Sequence, residues 1–192
     1  AFDCFAQAAE SMFSKKSNLK SVNYSKKSIK LFLDNYKSFI DKNSINKAYS
    51  MSLASYYSGK AISISKTIAP HAVSYPFTSY YGVEHGYAVS LTFESFLMHN
   101  YNKIDYSTSD FNLKDRYETL FNLLDVKNIF EFEKKIISIK KDLSLKSKLS
   151  SINKNIPNNL NLILRDVNLQ RLNNNPVQIK KSDIHNILKK IS

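Results

Sequence analysis

The sequence predicts an all-α fold, and three observations indicate it. Apolar residues recur at helical spacing along nearly the whole chain, and no segment shows convincing strand-like alternation. The 192 residues, 43% of them hydrophobic, suit one domain with a packed core. No run of about 18 apolar residues occurs, which excludes a membrane-spanning helix. We therefore expect a single helical domain over residues 1–192.

The first three helices follow from apolar spacing and small residues. Residues 1–13 (AFDCFAQAAESMF) predict a helix at the very start of the sequence. Ser21 is a plausible N-cap for a second helix that continues to Ile40. A third helix is predicted from Ser44 to Ile68, and its many alanine, serine and glycine residues would let neighbouring helices approach closely.

Proline and glycine residues in the middle of the chain predict helix breaks and a turn. Pro70 and Pro76 are expected to break or offset the helix. Residues 77–85 (FTSYYGVEH) predict a loop with Gly82 as its turn residue. One further helix is predicted to begin near Gly86 and to carry apolar residues as far as Met98.

The second half predicts shorter helices. Residues 102–115 are polar and predict a loop, and two helices follow at 115–124 and 127–143. A turn is expected over 152–159, with a helix after Pro157. Asparagine and proline make 171–181 irregular, and Ser182 is the predicted cap of a last helix that ends at Ile191.

The composition excludes several kinds of site. The chain has three glycines, all between residues 59 and 86, so no glycine-rich phosphate-binding loop can be built. Cys4 is the only cysteine, which excludes an internal disulfide and a multi-cysteine zinc site. We expect a reducing, cytoplasmic location. The first segment lacks the basic start and cleavage site of a secretory signal, and the plainer expectation is a chain that begins mid-protein.

The formal net charge of +12 requires that an anionic partner be considered. Only three of the 28 basic residues are arginine, the usual reader of guanine and phosphate, and the lysines are spread along the chain. This distribution favours solvated helix faces and makes nucleic acid an unexpected partner.

Four polar residues stand out as candidate metal ligands. His71 and His85 lie at element boundaries in the only part of the chain that combines glycine with proline, and the intervening segment could turn both imidazoles to one point. Asp3 and Gln7 are four residues apart and would share a helix face. Each pair is a weak signal alone, because single histidines and helix-start acids are more often structural.

Three segments together resemble the iron-containing alcohol dehydrogenases of the dehydroquinate-synthase-like superfamily. FDCFAQAAES resembles their D-A-x-x-H/Q-A-x-E-x segment. SGKAISISKTIAPHAVSYPFTSYYGVEHGYAVS is similar to their long signature with H-A-x-x-H/Y and H-G-x-A, and RLNNNPVQIKKSDIHNIL to their ending. The segment KTIAPHAVSY further resembles the corresponding segment of phosphonoacetaldehyde reductases. The resemblance runs through the whole chain in the right order.

The resemblance implies the helical, metal-binding C-terminal domain of an NAD(P)-dependent alcohol dehydrogenase or aldehyde reductase. The metal ligands would fall on Asp3, Gln7, His71 and His85, and the ion would be Fe²⁺ or Zn²⁺. Gln7 stands where many members have histidine. The dinucleotide-binding α/β domain of such enzymes precedes this region and is absent from the chain, so the fragment alone is expected to be inactive. A homodimer would also be in keeping with the family.

Two further residues receive roles from the resemblance. Tyr75 stands where many members have a second histidine near the nicotinamide, and its phenol could donate a proton or hydrogen bond. Lys66, just before the first histidine, could receive an anionic group such as the phosphonate of phosphonoacetaldehyde. The expected substrate is therefore a small aldehyde or alcohol.

Two alternatives remain open at the level of sequence. The chain could be a non-catalytic, basic helical binding module derived from the same scaffold. It could instead be a dehydroquinate-synthase-like lyase, although those enzymes use a glutamate where Asp3 stands and a longer gap between their histidines.

Overall fold

The computed structural model describes residues 1–40 and 45–192. Within these ranges the chain forms helices and no strand, apart from one isolated bridge between Ser107 and Val177, which confirms the all-α prediction. The helices are α1 Phe2–Phe13, α2 Leu19–Ile40, α3 Ile45–Ser65, α4 Ala69–Tyr81, α5 His85–Ser90, α6 Phe93–Asn102, α7 Leu113–Leu124, α8 Ile129–Asp142, α9 Leu160–Arg165, α10 Leu169–Leu172 and α11 Lys181–Lys190. None of them is long and apolar enough to cross a membrane.

Helix α1 lies at the centre of the molecule. Ten of its twelve residues are buried, and six of the twelve are alanine or phenylalanine. It packs against α2 and α3 on one side and against α5 on another. Cys4 is buried in this packing, and burial raises the pKa of its thiol to about 11. Two polar residues of α1, Glu10 and Ser11, are also held inside the protein.

Two apolar clusters flank the polar face of α1. The first joins α1 to α2, α3, α7 and α8, and its aromatic centre includes Phe5, Phe32 and Phe93. The second is formed mainly by α4, α5, α9 and α11. Of the small residues of α3 predicted to allow close helix contact, Ala54, Ser58 and Ala61 are fully buried, whereas Ala48, Ser52, Ser55 and Gly59 are exposed.

Helix α4 corrects the prediction that residues 77–85 form a loop. The helix continues through Pro76 to Tyr81 and ends at Gly82, whose φ of 64° is in the left-handed region that glycine favours. Pro76 has no N–H, so the carbonyl of Ala72 loses its helical donor. The N–H of Asn168 donates to that carbonyl instead, at 3.0 Å. A distant segment thus satisfies the helix where the proline would otherwise break it.

The remaining differences concern helix ends and one break. The predicted start of the third helix at Ser44 lies outside the described residues. Ser21 is not an N-cap: α2 begins at Leu19, and the Asn18 side chain accepts from the Ser21 N–H at 3.0 Å. The single helix predicted from Gly86 to Met98 is two helices, α5 and α6, separated at Leu91 and Thr92.

The last helix also starts earlier than predicted. Ser182 lies inside α11, and the side chain that caps the helix is Asp183, which accepts from the Lys180 N–H at 2.8 Å. The helices predicted at 115–124 and 127–143 are confirmed as α7 and α8, each with an asparagine N-cap. The irregular tail over 171–181 is confirmed except for the end of the short helix α10.

A candidate metal centre between three helices

Helix α1 places three polar side chains on one face. Asp3, Gln7 and Glu10 are spaced four and three residues apart, which aligns them along a helix. Glu10 is fully buried, and Asp3 is about one-third exposed. The carboxylate of Glu10 accepts from the backbone N–H of Ile68 at 2.9 Å, and so caps the start of α4 from another helix. This contact fixes the position of α4 relative to α1.

His71 lies in the first turn of α4 and is buried. Its Nδ1 is 2.6 Å from Oε1 of Glu10, and its Nε2 is 3.3 Å from Oδ1 of Asp3. A histidine whose Nδ1 is bonded to a carboxylate presents the lone pair of Nε2 on the other side of its ring. Glu10 therefore orients the His71 imidazole toward Asp3.

His85 completes a cluster of three potential ligands. It is the first residue of α5, and its Nε2 is 3.9 Å from Oδ1 of Asp3. The ring centroids of His71 and His85 are 5.2 Å apart. One ligand atom from each of Asp3, His71 and His85 lies within 4.8 Å of the others. The structure thus brings together three of the four residues predicted as metal ligands.

The cluster contains two buried atoms without a hydrogen-bond partner among the described residues, Oδ1 of Asp3 and Nε2 of His71. Two acceptors that face each other at 3.3 Å are stable only if a proton or a cation lies between them. Atoms that share a tetrahedral ion at about 2.1 Å are about 3.4 Å apart. The donor set and its spacing therefore fit a divalent metal.

The electrostatics of the cluster follow from burial and from the two carboxylates. Burial opposes the charged form of His71, but Glu10 and Asp3 outweigh it and raise the pKa of His71 to about 9. Burial lowers the pKa of His85. Burial also opposes the charge on Asp3, but His71 and His85 prevail and lower the pKa of that carboxyl. Without a metal, a proton on His71 would compensate the two carboxylates.

Gln7 lies on the same face of α1 but is bonded to neighbouring side chains. Its Nε2 donates to Oδ2 of Asp3 at 2.7 Å, and its Oε1 accepts from Oγ of Ser58 on α3 at 3.0 Å. In this arrangement Gln7 holds the Asp3 carboxylate, so that Oδ1 is left for the cluster. A direct bond from Gln7 to a metal remains a prediction.

Of the two residues predicted to act on substrate, Tyr75 lies beside the cluster and Lys66 lines a cavity that Tyr75 also lines. The Tyr75 ring centroid is 5.8 Å from that of His85. Lys66 is exposed, follows the end of α3 and shares a cavity with Tyr75. The two remaining histidines, His99 and His185, are outside the cluster.

Sequence reasoning did not single out Glu10, Ser58 and Gly86 as part of the site. The position of Glu10 could have been identified from the sequence, since it continues the helical spacing of Asp3 and Gln7. No sequence pattern identifies Ser58, because only tertiary packing brings α3 against Gln7. Gly86 follows His85 and allows close approach: a Cβ built there would lie 3.0 Å from Cβ of Asp3.

Gly86 supports a prediction about metal binding. Gly86→Ala is expected to displace Asp3 by a few tenths of an ångström and to weaken metal binding about tenfold, a typical effect of changes around metal ligands. Metal titration of the chain measures this. Gly59→Ala is the matched control, because a Cβ at Gly59 meets nothing within 4 Å. Equal affinities of the two variants would contradict the role given to Gly86.

Comparisons with known proteins support the fold and the family. The model of the C-terminal region of the Fe-containing alcohol dehydrogenase family matches residues 1–192. No curated protein matches the sequence. Among solved structures, an archaeal halo-thermophilic alcohol dehydrogenase from a Red Sea brine pool is similar, with a TM-score of 0.85 and 20% identity over 100% of this chain and 49% of that chain.

Two further solved structures share the fold. Sulfoacetaldehyde reductase from Bifidobacterium kashiwanohense has a TM-score of 0.80 and 20% identity over 99% of this chain and 48% of that chain. The iron-containing alcohol dehydrogenase from Thermotoga maritima has a TM-score of 0.75 and 22% identity over 99% of this chain and 47% of that chain. The chain spans about half the length of these proteins. By its end-to-end match to the C-terminal family model, the chain belongs to the Fe-containing alcohol dehydrogenase family.

Proposed function

We propose that the chain is the metal-binding catalytic half of an NAD(P)-dependent alcohol dehydrogenase that reversibly reduces small aldehydes. The observation that carries the proposal is the pair of unpartnered atoms, Oδ1 of Asp3 and Nε2 of His71, beside the imidazole of His85. One carboxylate and two imidazoles suit Fe²⁺ or Zn²⁺ and leave a coordination position free for substrate. Family membership supports the same conclusion.

Two groups of residues have different proposed roles: one binds the metal ion, and the other contacts the substrate. Asp3, His71 and His85 would hold the metal, and Gln7 would orient the Asp3 carboxylate through the hydrogen bond that it donates to Oδ2. When bound, the metal supplies Lewis acidity toward the carbonyl oxygen, and NAD(P)H supplies the hydride. Tyr75, next to His85, donates a hydrogen bond to the substrate oxygen. The balanced reaction converts an aldehyde, NAD(P)H and a proton to an alcohol and NAD(P)⁺.

We propose phosphonoacetaldehyde as the first substrate to test. Lys66 supports this choice because it offers a cation near Tyr75. One solved structure of the same fold is, by its name, a reductase of another aldehyde with an anionic group, sulfoacetaldehyde. The proposed partners are an N-terminal α/β domain that binds the dinucleotide and a second copy of the chain in a homodimer. The proposed setting is the cytoplasm.

The test uses the full-length protein, stripped with a chelator and reloaded with Fe²⁺ or Zn²⁺. We expect aldehyde-dependent oxidation of NADH or NADPH to disappear with the metal and to return on reloading, with one alcohol formed per cofactor oxidised. Comparison of NADH with NADPH identifies the preferred cofactor. A folded, metal-loaded protein that reduces no small aldehyde would contradict the proposal.

A further inference from the structure

A polar cavity of about 400 Å³ lies beside the metal cluster. Three cations line it, Lys16, Lys66 and Arg171, together with Tyr75 and neighbouring amide side chains. No carboxylate lines the cavity, and within residues 1–40 and 45–192 none of the three cations has an acidic partner within 4.0 Å. Three uncompensated cations around one cavity favour an anionic ligand.

Arg171 is the cation that the surrounding structure holds most firmly. Its Nη1 donates to Oγ1 of Thr67, and its guanidinium lies over the Tyr75 ring, with Cζ 5.5 Å from the ring centroid. Its backbone N–H is bonded to the side chain of Asn168, the N-cap of α10. Arg171 is half-buried, whereas Lys16 and Lys66 are exposed. A positioned arginine can bind a phosphonate or sulfonate through two parallel hydrogen bonds.

Tyr75 lines the cavity and is adjacent to the metal cluster. The Tyr75 ring contacts Arg171 in the cavity and lies 5.8 Å, centroid to centroid, from the His85 ring of the cluster. A molecule with a carbonyl at the cluster and an anionic group beside Arg171 therefore extends past a single tyrosine.

Lys66 lies at the turn that ends α3. Its backbone has a φ of 65°, the left-handed conformation in which helices commonly end, and its N–H donates to the Ile62 carbonyl at 2.9 Å. This turn places Lys66 next to Thr67, which holds Arg171, and Lys66 and Arg171 line the same cavity.

We propose that Arg171, assisted by Lys66, is the specificity-determining residue for aldehydes that carry a terminal phosphonate or sulfonate. The inference rests on the proposed function and deepens it. Arg171 binds the anionic end, while the carbonyl end lies at the Asp3–His71–His85 cluster. No bond is formed or broken at Arg171, so its contribution is to binding and orientation.

The experiment compares two aldehydes of similar shape in the metal-loaded, full-length enzyme. Phosphonoacetaldehyde is the anionic substrate and 3,3-dimethylbutanal its uncharged counterpart. Arg171→Met is expected to lower kcat/KM for phosphonoacetaldehyde roughly 10- to 100-fold, mainly through KM, and to change that for 3,3-dimethylbutanal less than about threefold. Arg171→Lys should recover part of the loss. Arg116→Met is the matched control, since Arg116 is also half-buried over an aromatic ring, that of Phe111.

The remaining outcomes separate this inference from the proposed function. An equal loss with both aldehydes would show a packing role and overturn the inference. A raised KM for NAD(P)H, with the aldehydes unaffected, would assign the cavity to a cofactor phosphate and overturn it too. If the parent reduces only uncharged aldehydes, the inference fails and the proposed function stands.

If no aldehyde is reduced, the proposed function fails and aldehyde specificity fails with it. Calorimetric titration with methylphosphonate then tests the anion site at Arg171 by itself. Binding that Arg171→Met abolishes and Arg116→Met retains would support that site, whereas absence of binding, or equal binding by both variants, would overturn it.

Discussion

The variant in which His71 and His85 are both alanine is expected to lose metal binding. Four-ligand sites bind Zn²⁺ with about 10–16 kcal/mol, so two ligands account for about 5–8 kcal/mol, or at least a thousandfold in affinity. The parent chain should bind one equivalent of Fe²⁺ or Zn²⁺ at the cluster of Asp3, His71 and His85. Metal content after dialysis and a titration with the metal alone measure both expectations.

The matched control is the double variant His99→Ala, His185→Ala, which removes the two histidines outside the cluster. It should bind metal as the parent does. Loss of His71 also leaves Glu10 buried without its partner, which could unfold the domain. His85→Ala alone avoids this problem, because His85 is partly exposed and does not contact Glu10. Unchanged affinity in a folded His85→Ala variant would refute the assignment of the site.

Lys140→Met is expected to cause the largest loss of stability away from the site, about 3–5 kcal/mol. Nζ of Lys140 on α8 lies 2.7 Å from Oε1 of Glu94 on α6, and both side chains are buried. The variant leaves the Glu94 carboxylate buried without its cation. Urea unfolding monitored by circular dichroism measures the loss as a lower free energy of unfolding.

The double variant Glu94→Gln, Lys140→Met separates charge from packing. It should recover most of the stability, because replacing both members of a buried ion pair costs little. Lys134→Met, at an exposed position on the same helix, is the control and should change the free energy of unfolding by less than about 0.5 kcal/mol. A loss below about 1 kcal/mol for Lys140→Met would show that the pair contributes little.

Much of the fold was predictable because its helices carry their own local signals. Asn128 caps α8 through its side chain, and the apolar residues that follow keep helical spacing. Helix α4 was not predictable over 77–81, since the donor that replaces the missing N–H of Pro76 comes from Asn168, far along the chain. The side chains of both Asn18 and Ser21 can cap a helix, and only the structure distinguishes the cap from the first turn.

Three of the residues of the candidate site could be predicted from the sequence, but the residues that position them could not. Asp3, His71 and His85 follow from spacing and resemblance, and they meet in the structure. The role of Glu10 depends on α4 starting opposite it, which no local pattern encodes. The cavity around Arg171 depends in the same way on the tail packing against α3 and α4, for example through the bond from Asn174 to the Thr67 carbonyl.

The hydrogen bond from the Asn168 N–H to the Ala72 carbonyl couples the segment that carries Arg171 to helix α4. If the segment at Asn168 detached, the Ala72 carbonyl, inside the buried part of α4, would lose its donor. That cost opposes opening of the segment that carries Arg171. The wall of the cavity around Arg171 should therefore open together with α4 as one cooperative unit, and its amide hydrogens should exchange at the slow rate of the core and not at the fast rate of a surface loop.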